Sequence, residues 1–157
     1  MTGGAGNDTY LVDDDGDTVQ EAANGGIDAI STRISLNLGA NIENAYAEIG
    51  GLTVGGNALN NRLGGSSGAD KLNGENGADV LTGENGADTL TGGAGDDVIE
   101  GGLGADKLDG GVGSDMFRYR LENPADLNNL GGDLITGFEH GKDKICLLYT
   151  SPSPRDS

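Results

Sequence analysis

The stretch GSSGADKLNGENGADVLTGENGADTLTGGAGDDVIEGGLGADKLDGGVGSDMFR, from Gly65 to Arg118, repeats every nine residues, six times without a gap. Every copy has Gly at positions one and four and Asp at position six. A nine-residue unit with one large apolar side chain buries nothing alone, so the copies must stack on their neighbours to form a core. The residues at position eight, which we expect to form that core, are Leu72, Leu81, Leu90, Ile99, Leu108 and Phe117.

The invariant Asp at position six indicates a bound cation. Carboxylates held in rows repel one another unless a positive charge lies between them. Carboxylate oxygens and the carbonyls of glycine turns suit a hard cation with flexible coordination, which favours calcium over zinc, copper or the strongly hydrated magnesium ion. The principal ligands predicted in this way are Asp70, Asp79, Asp88, Asp97, Asp106 and Asp115.

The repeated segment resembles the RTX, or haemolysin-type, calcium-binding repeat, whose pattern is G-G-x-G-x-D-x-U-x. The copy GGAGDDVIE, residues 92–100, has every fixed position, whereas Ser66, Glu75 and Glu84 replace Gly at position two of three other copies. The resemblance implies an all-β fold, a right-handed parallel β-roll. In that roll the first six residues of a copy turn, the last three form a short strand, and two copies complete one coil.

In such a roll, copies eighteen residues apart stack at the strand spacing of about 4.8 Å, which brings their Asp turns together. The implied shared-metal pairs are Asp70 with Asp88, Asp79 with Asp97, Asp88 with Asp106, and Asp97 with Asp115. Strand alternation points position eight inward and leaves a narrow core, so we expect several calcium ions to drive folding. The turn residues expected to complete the calcium shells are Gly65, Gly74, Asn76, Gly83, Asn85, Gly92, Gly101 and Gly110.

The composition excludes several partners. The 157 residues include 26 acidic and 9 basic side chains, giving a formal net charge of −17. This charge argues against nucleic acid and anionic membrane as partners and favours divalent cations. No apolar run reaches membrane-spanning length, and no N-terminal secretory signal is recognisable. The 31 glycines fall largely at a fixed period, which indicates turn chemistry and not disorder.

An isolated copy and an aperiodic segment precede the main block. Residues 1–11 contain GGAGNDTYL, which makes Asp8 a further candidate ligand, and Met1 falls where an internal residue of a preceding copy would lie. Residues 12–55 lose the nine-residue period and are predicted to be a β-rich spacer. One face of an extended run in this spacer is formed by Ile30, Thr32, Ile34, Leu36 and Leu38.

The roll itself is predicted over residues 56–118 and begins with a capping copy at 56–64. In this copy Leu59 replaces the turn Gly and Asn61 replaces the Asp. Because an amide offers an oxygen but no charge, we expect a metal site there to be weaker or absent.

Two segments follow the roll. Residues 119–145 resemble the strands that cap the open end of the roll in this family, and they contain Asp133 and Asp143 as possible further ligands. Residues 146–157 contain no glycine turn and no pattern that continues the strand after Ile145. Cys146 to Asp156 resemble a translated sequencing adapter, so we expect residues 146–157 to be a non-native tail on a fragment of a longer protein, with no chemistry from its single cysteine.

Catalytic and alternative binding motifs are poorly supported. The sequence GGSSG at 64–68 matches a nucleophile elbow only formally, because it lies inside a repeat turn, and His140 is the sole histidine and is expected to face solvent. The Asp series has no member set apart for acid or base catalysis. An ice-binding face would need threonines on both sides of many strands, and only one copy has them. A solvated acidic turn is preferred to an EF-hand for Asp13, Asp14, Asp15 and Asp17, since no closing Glu follows.

The predicted function is therefore calcium binding that folds a β-roll, with no enzyme activity in this chain. By resemblance, the parent would be a secreted bacterial protein exported by a type I secretion machinery. The alternative is an accessory C-terminal module of a secreted protease, lipase or polysaccharide-modifying enzyme, or a segment of a calcium-dependent adhesin.

Overall fold

Each nonapeptide copy contributes one strand in which side chains are buried alternately. In the strand Lys71–Asn76, Leu72 and Gly74 are buried and Lys71 is exposed, as the two-residue period of an extended chain requires. The structure is a computed structural model and describes residues 1–121 and 132–149. Its strands are β1 (Thr9–Val12), β2 (Ala29–Thr32), β3 (Leu36–Asn37), β4 (Asn44–Ala47), β5 (Thr53–Gly55), β6 (Arg62–Gly64), β7 (Lys71–Asn76), β8 (Val80–Asn85), β9 (Thr89–Ala94), β10 (Val98–Leu103), β11 (Lys107–Val112), β12 (Met116–Leu121), β13 (Leu134–Thr136) and β14 (Lys144–Tyr149).

The strands form two parallel sheets between which the chain alternates. One sheet has the order β1-β2-β4-β6-β8-β10-β12-β14, and the other has the order β13-β11-β9-β7-β5-β3. Within the repeats the register is eighteen residues, as in Leu72 opposite Leu90 and Leu81 opposite Ile99. The predicted all-β parallel roll with two copies in each coil is therefore confirmed. Within the described part of the chain, no helix is long and apolar enough to cross a membrane.

The core is a double row of apolar side chains, one row from each sheet. One row contains Leu63, Leu81, Ile99 and Phe117, which are all fully buried. Burying a side chain of this size stabilises the fold by about 1.5 to 3 kcal/mol. At the C-terminal end, the Phe117 ring lies 6.0 Å from the ring of Phe138. The other row contains Val54, Leu72, Leu90 and Leu108.

The strands are longer than the sequence predicted. We expected three-residue strands separated by six-residue turns, but β7 to β12 each contain six residues. The pairing skips Gly74, and Glu75 and Asn76 still pair with Gly93 and Ala94 of the copy eighteen residues later. The physical reason is that identical turns stacked in register continue to place amide groups opposite carbonyls, so the ladder of hydrogen bonds extends into the turn.

The spacer continues the same two sheets, although it has no nine-residue period. Its register is twenty residues between Thr9 and Ala29 and fifteen between Ala29 and Asn44. The single extended run predicted from Ile30 to Leu38 is wrong, because it is divided into β2 and β3, which lie in different sheets. A tight turn separates the two strands. In this turn the Thr32 hydroxyl donates a hydrogen bond to the Ile34 carbonyl (2.7 Å) and accepts one from the Ile34 amide (3.1 Å). Ile30 and Leu38 nevertheless form part of the core, and Ile34 and Leu36 pack against it. Thr32 is fully buried.

The C-terminal segment supplies the last strand of each sheet. Strand β13 pairs with β11, and β14 pairs with β12 from Met116 opposite Lys144 to Leu121 opposite Tyr149. The strand predicted to stop at Ile145 therefore continues for four more residues. Residues 122–131 of the predicted cap and 150–157 of the predicted tail lie outside the described residues, and the non-native origin of the tail stays a prediction.

Two glutamates in the turns adopt a backbone conformation that favours glycine. Glu75 and Glu84 have φ values of 75° and 76° at position two, where Gly93 and Gly102 have 112° and 107°. The left-handed region costs a residue with a Cβ about 1 to 2 kcal/mol. The third departure at this position, Ser66, is not among the residues with positive φ.

Replacing Glu84 by glycine is expected to stabilise the roll. The gain in the free energy of unfolding should be about 0.5 to 1 kcal/mol, because relief of the strained φ exceeds the extra chain entropy that glycine loses. Urea denaturation with calcium present measures the change. Glu84→Gln is the matched control, since it removes the same charge and keeps the Cβ. An equal gain in both variants would assign the effect to charge and contradict the backbone explanation.

Candidate metal centres

The Asp residues at position six form two continuous ladders, one along each sheet. In each ladder the Oδ1 atom of one Asp accepts a hydrogen bond from the backbone amide of the Asp eighteen residues earlier. All six side chains are buried, with 1 to 2 % of their surface exposed. The four pairs predicted from the sequence thus lie side by side, with N to Oδ1 distances of 2.8 Å for Asp70 and Asp88, 2.8 Å for Asp79 and Asp97, 2.9 Å for Asp88 and Asp106, and 3.0 Å for Asp97 and Asp115.

Asp133 and Asp143, which the sequence suggested as further ligands, extend these ladders. Asp133 Oδ1 accepts from the Asp106 amide and Asp143 Oδ1 from the Asp115 amide, both at 3.0 Å. The nine-residue period is absent here. The two aspartates hold ladder positions because the strands that directly follow them, β13 and β14, pair with β11 and β12. His140 lies in an exposed turn between β13 and β14, as predicted.

The second carboxylate oxygen of most ladder members is buried without a partner. Within the described part of the chain, Oδ2 has no hydrogen-bond donor in Asp79, Asp88, Asp97, Asp106, Asp115 and Asp133. Asp70 differs, because its Oδ2 accepts from the Ser66 amide at 2.8 Å. A buried acceptor left without a donor costs about 1 to 3 kcal/mol, and more when it carries charge. These oxygens are therefore available to a cation.

The glycine at position one makes room beside each of these oxygens. A Cβ atom on Gly92 would lie 2.3 Å from Asp97 Oδ2 and 2.6 Å from the Gly110 carbonyl oxygen. The same arrangement of a carboxylate oxygen and a carbonyl oxygen recurs around Gly65, Gly74 and Gly83. Oxygen donors of these two kinds are those that calcium prefers, so the residues present fit this ion. The structure therefore places the predicted position-one glycines next to the Asp side chains.

Burial raises the pKa of the central aspartates. The pKa is raised to about 6 in Asp79, Asp88 and Asp97, chiefly because desolvation disfavours the charged carboxylate. The backbone amide at Oδ1 opposes this shift, while neighbouring carboxylates add to it in Asp88 and Asp97. Burial also raises the pKa of Asp106, Asp115 and Asp133.

The metal-free roll is expected to gain stability as pH falls. A carboxyl group whose pKa is about 6 when folded and near 3.9 when unfolded binds protons preferentially in the folded state. Its contribution is complete below the unfolded pKa and is lost as pH rises through the folded pKa, so the change lies between about pH 4 and pH 7. The far-ultraviolet β signal of the calcium-depleted chain at pH 5 and pH 7.5 tests this. A β signal that is equal or weaker at pH 5 would contradict it.

Asn61 shows how the ladder is completed without a charge. Its backbone amide donates to Asp79 Oδ1 at 2.6 Å, so it occupies a ladder position. Its side-chain amide group donates to the carbonyls of Ile42 and Glu43, both at 3.2 Å, and its Oδ1 accepts from the Asn57 amide at 2.7 Å. The two N–H groups thus contact carbonyl oxygens of the preceding coil. The absence of a strong metal site at this copy stays a prediction, and these hydrogen bonds supply a physical reason for it.

Asn76 and Asn85, which were predicted to complete the shells, are placed differently from the glycines. Both lie at the ends of their strands with exposed side chains. The carbonyl of Asn85 accepts from the Gly68 amide at 2.7 Å. Only their backbone oxygens, and not their amide groups, are therefore candidates.

The sequence reasoning missed two ladder members in the spacer. Asp8, which was predicted, has its amide bonded to Asp28 Oδ1, and the Asp28 amide is in turn bonded to Glu43 Oε2, both at 2.8 Å. The available signal was spacing, because Asp28 lies two residues before the buried Ile30, as Asp97 lies two residues before Ile99. The acidic group at 13–17 is instead a hydrogen-bonded turn, in which Asp17 Oδ2 accepts from the Asp13 and Asp14 amides at 3.2 and 3.3 Å.

Comparison with known proteins agrees with this geometry. The family model of the RTX calcium-binding nonapeptide repeat (four copies) matches residues 55–90 and 82–117. No curated protein matches the chain. The matched segment contains the six aspartates predicted as principal ligands and the core residues from Leu63 to Phe117. Residues 55–117 of this chain are therefore RTX repeats, modules that bind several calcium ions in a β-roll.

Proposed function

We propose that calcium binds at the Oδ2 atoms of Asp70, Asp79, Asp88, Asp97, Asp106 and Asp115 and that this binding drives folding of the roll. The observation that carries the proposal is the row of buried Oδ2 atoms without donors, each beside the missing side chain of a position-one glycine. Asp70 is the partial exception, because Ser66 already donates to it. Gly65, Gly74, Gly83, Gly92, Gly101 and Gly110 would add carbonyl oxygens, as would the backbone of Asn76 and Asn85.

Each aspartate would perform two tasks. Its Oδ1 atom accepts a hydrogen bond from a backbone amide of the preceding coil, and this hydrogen bond holds the carboxylate in a fixed orientation. Its Oδ2 atom then faces the glycine carbonyls and supplies the negative charge for the ion. Bound calcium supplies the positive charge that removes the repulsion between neighbouring carboxylates.

Coupling to folding follows from the energetics. Ordering a residue costs about 1 to 2 kcal/mol, and glycine loses the most freedom. The core offers one large apolar side chain per nine residues against this cost. Calcium at 100 times its dissociation constant adds about 2.7 kcal/mol per site when it binds only the folded state. For an extracellular module we expect dissociation constants of about 10⁻⁴ to 10⁻³ M.

The biological setting that fits this coupling is a secreted bacterial protein. Proteins with RTX repeats are typically secreted, and a chain that needs millimolar calcium would stay unfolded in the cytosol during type I secretion and fold outside. The segment would be part of a larger protein. It would serve either as a structural calcium-binding region of an adhesin or as the accessory C-terminal region of a secreted enzyme. An HExxH motif or a hydrolase domain in the neighbouring coding sequence would favour the enzyme.

Far-ultraviolet circular dichroism of the full chain tests the proposal. Calcium is titrated into chelator-treated protein, with magnesium as the matched control. We expect a cooperative gain of β signal with calcium and little or none with magnesium at the same concentration. A spectrum that is already β-rich in chelator and does not change with calcium would contradict metal-driven folding.

A further inference from the structure

Three carboxylates converge at the N-terminal end of the solenoid, outside the segment matched by the repeat family. Asp8 lies at position six of the isolated glycine-rich copy, and Glu21 and Asp28 belong to the spacer. One oxygen from each of the three lies within 4.8 Å of the others. Residues 1–32 contain no lysine or arginine, so no side-chain cation of this segment neutralises the cluster.

Two of these carboxylates have buried oxygens without partners. Asp28 is completely buried, and its Oδ1 accepts from the Asp8 amide at 2.8 Å, but its Oδ2 has no donor within the described residues. Asp8 Oδ2 is likewise buried without a donor there. Glu21 is positioned by its Oε1, which accepts from the Gly3 amide at 3.0 Å. Two buried carboxylate oxygens without donors are costly, which argues for a cation between them.

Backbone oxygens lie beside the same glutamate. A Cβ on Gly25 would lie 2.9 Å from the Gly4 carbonyl oxygen, 3.1 Å from the Ala22 carbonyl oxygen and 3.2 Å from Glu21 Oε2. One oxygen from the first glycine turn and two from the adjacent residues Glu21 and Ala22 thus surround the missing side chain of Gly25. This combination of carbonyl and carboxylate donors is the type that calcium binds.

The local fold explains how an aperiodic sequence forms such a turn. The twenty-residue shift between β1 and β2, continued toward the N-terminus, relates Gly4 to Asn24. Both have positive φ, 100° and 62° respectively. Asparagine tolerates this conformation better than most residues. The Gly6 amide donates to the Gly25 carbonyl at 2.6 Å, and the Ile27 amide donates to Asn7 Oδ1 at 2.9 Å. The spacer turn is therefore stacked firmly on the first glycine turn.

We propose a separate calcium site formed by Asp8, Glu21 and Asp28, with the carbonyls of Gly4 and Ala22 as additional oxygen donors. It goes beyond the proposed function, because Glu21 and Asp28 lie outside the nonapeptide copies and the site does not depend on the ladder of residues 70–115. Its ion would fix the spacer to the first turn and stabilise the N-terminal end of the solenoid.

Tyr10 gives this site its own spectroscopic signal. A Cβ on Gly3 would lie 2.1 Å from Asp8 Oδ2 and 2.2 Å from the Tyr10 hydroxyl, so the phenol is adjacent to the carboxylate. Terbium, which replaces calcium and emits when a nearby tyrosine is excited, is the probe. We expect Tyr10→Phe to remove the part of the sensitised emission that arises at this site.

Charge-neutral variants then test the ligands. Glu21→Gln and Asp28→Asn should each lower the Tyr10-dependent emission at least severalfold and reduce the calcium stoichiometry, measured by calorimetry, by one ion. Asp15→Asn is the matched control, because it removes one charge from an exposed residue of the same segment, and should change neither quantity. Glu21 is only partly buried, so its variant tests the site even if Asp28→Asn does not fold.

The outcomes separate this site from the proposed function. If emission and stoichiometry in Glu21→Gln and Asp28→Asn equal those of the parent chain, the site is refuted, whatever calcium does to the circular dichroism. If the β signal does not respond to calcium but the Tyr10-dependent emission is lost in these variants, the site stands and calcium-driven folding of the roll falls.

Discussion

Replacing Asp97 by asparagine is expected to change the stability of the roll in opposite directions with and without calcium. With calcium the free energy of unfolding should fall by about 3 to 5 kcal/mol, because two shared sites are lost at 10 to 100 times the dissociation constant. Without calcium it should rise by about 1 to 3 kcal/mol, since a buried charged oxygen without a donor disappears. Urea denaturation in calcium measures the first value, and folding of the chelated chain by an excluded osmolyte such as TMAO measures the second.

The reversal of sign separates a metal ligand from an ordinary buried side chain. Asn keeps the Oδ1 acceptor that holds the Asp79 amide at 2.8 Å in the native chain, and Asn61 shows that this position accommodates the amide. Asp109→Asn is the matched control, because Asp109 lies one residue after the core position of β11 and is not in the ladder. Loss of stability both with and without calcium in Asp97→Asn would contradict the ligand role.

Replacing Gly92 by alanine is expected to abolish calcium binding at its turn. The new Cβ would overlap Asp97 Oδ2 at 2.3 Å and the Gly110 carbonyl at 2.6 Å. Real Cβ atoms do not approach other atoms so closely, so the two oxygens must separate and can no longer face one ion. We expect a loss of at least one bound calcium and of about 2 to 3 kcal/mol of calcium-dependent stability.

Gly39→Ala is the control for this substitution. A Cβ on Gly39 would lie 3.7 Å from its nearest neighbour, the Val19 carbonyl oxygen, which is an ordinary contact. Its effect on unfolding should stay within about 0.5 kcal/mol. Calcium stoichiometry from calorimetry and the urea midpoint compare the two variants. Equal behaviour of Gly92→Ala and Gly39→Ala would refute the proposed calcium position beside Gly92.

The period of the sequence predicted the sheets and core of residues 65–118 because one residue in nine carries the whole apolar signal. Leu72, Leu90 and Leu108 could be placed in one row without a structure, since their spacing equals one coil. The second oxygen of Asp97 could not be assigned in this way. Whether Oδ2 has a donor depends on the distance between stacked turns, which spacing does not give.

The spacer was predicted less well because its coils have unequal lengths. Because neighbouring strands of the spacer pair at separations of twenty and fifteen residues, a search for a nine-residue period does not detect its coils. What persists is an acidic residue two positions before a buried apolar or small one, as in Asp28 with Ile30 and Glu43 with Ala45. The extra residues of a longer coil are accommodated in turns, where the chain has freedom, and the strands retain their pairing.

The eighteen-residue register has a consequence for the kinetics of folding. Along the repeats, every strand pairs with strands one coil away, and the last coil increases this separation only to 27 and 28 residues. The entropy of closing a loop depends on the length of that loop alone, so each coil meets the same barrier however long the array becomes. Relative contact order therefore decreases as coils are added. A longer array would order itself progressively from a single nucleus, one coil at a time, while the remainder of the polypeptide is still unfolded.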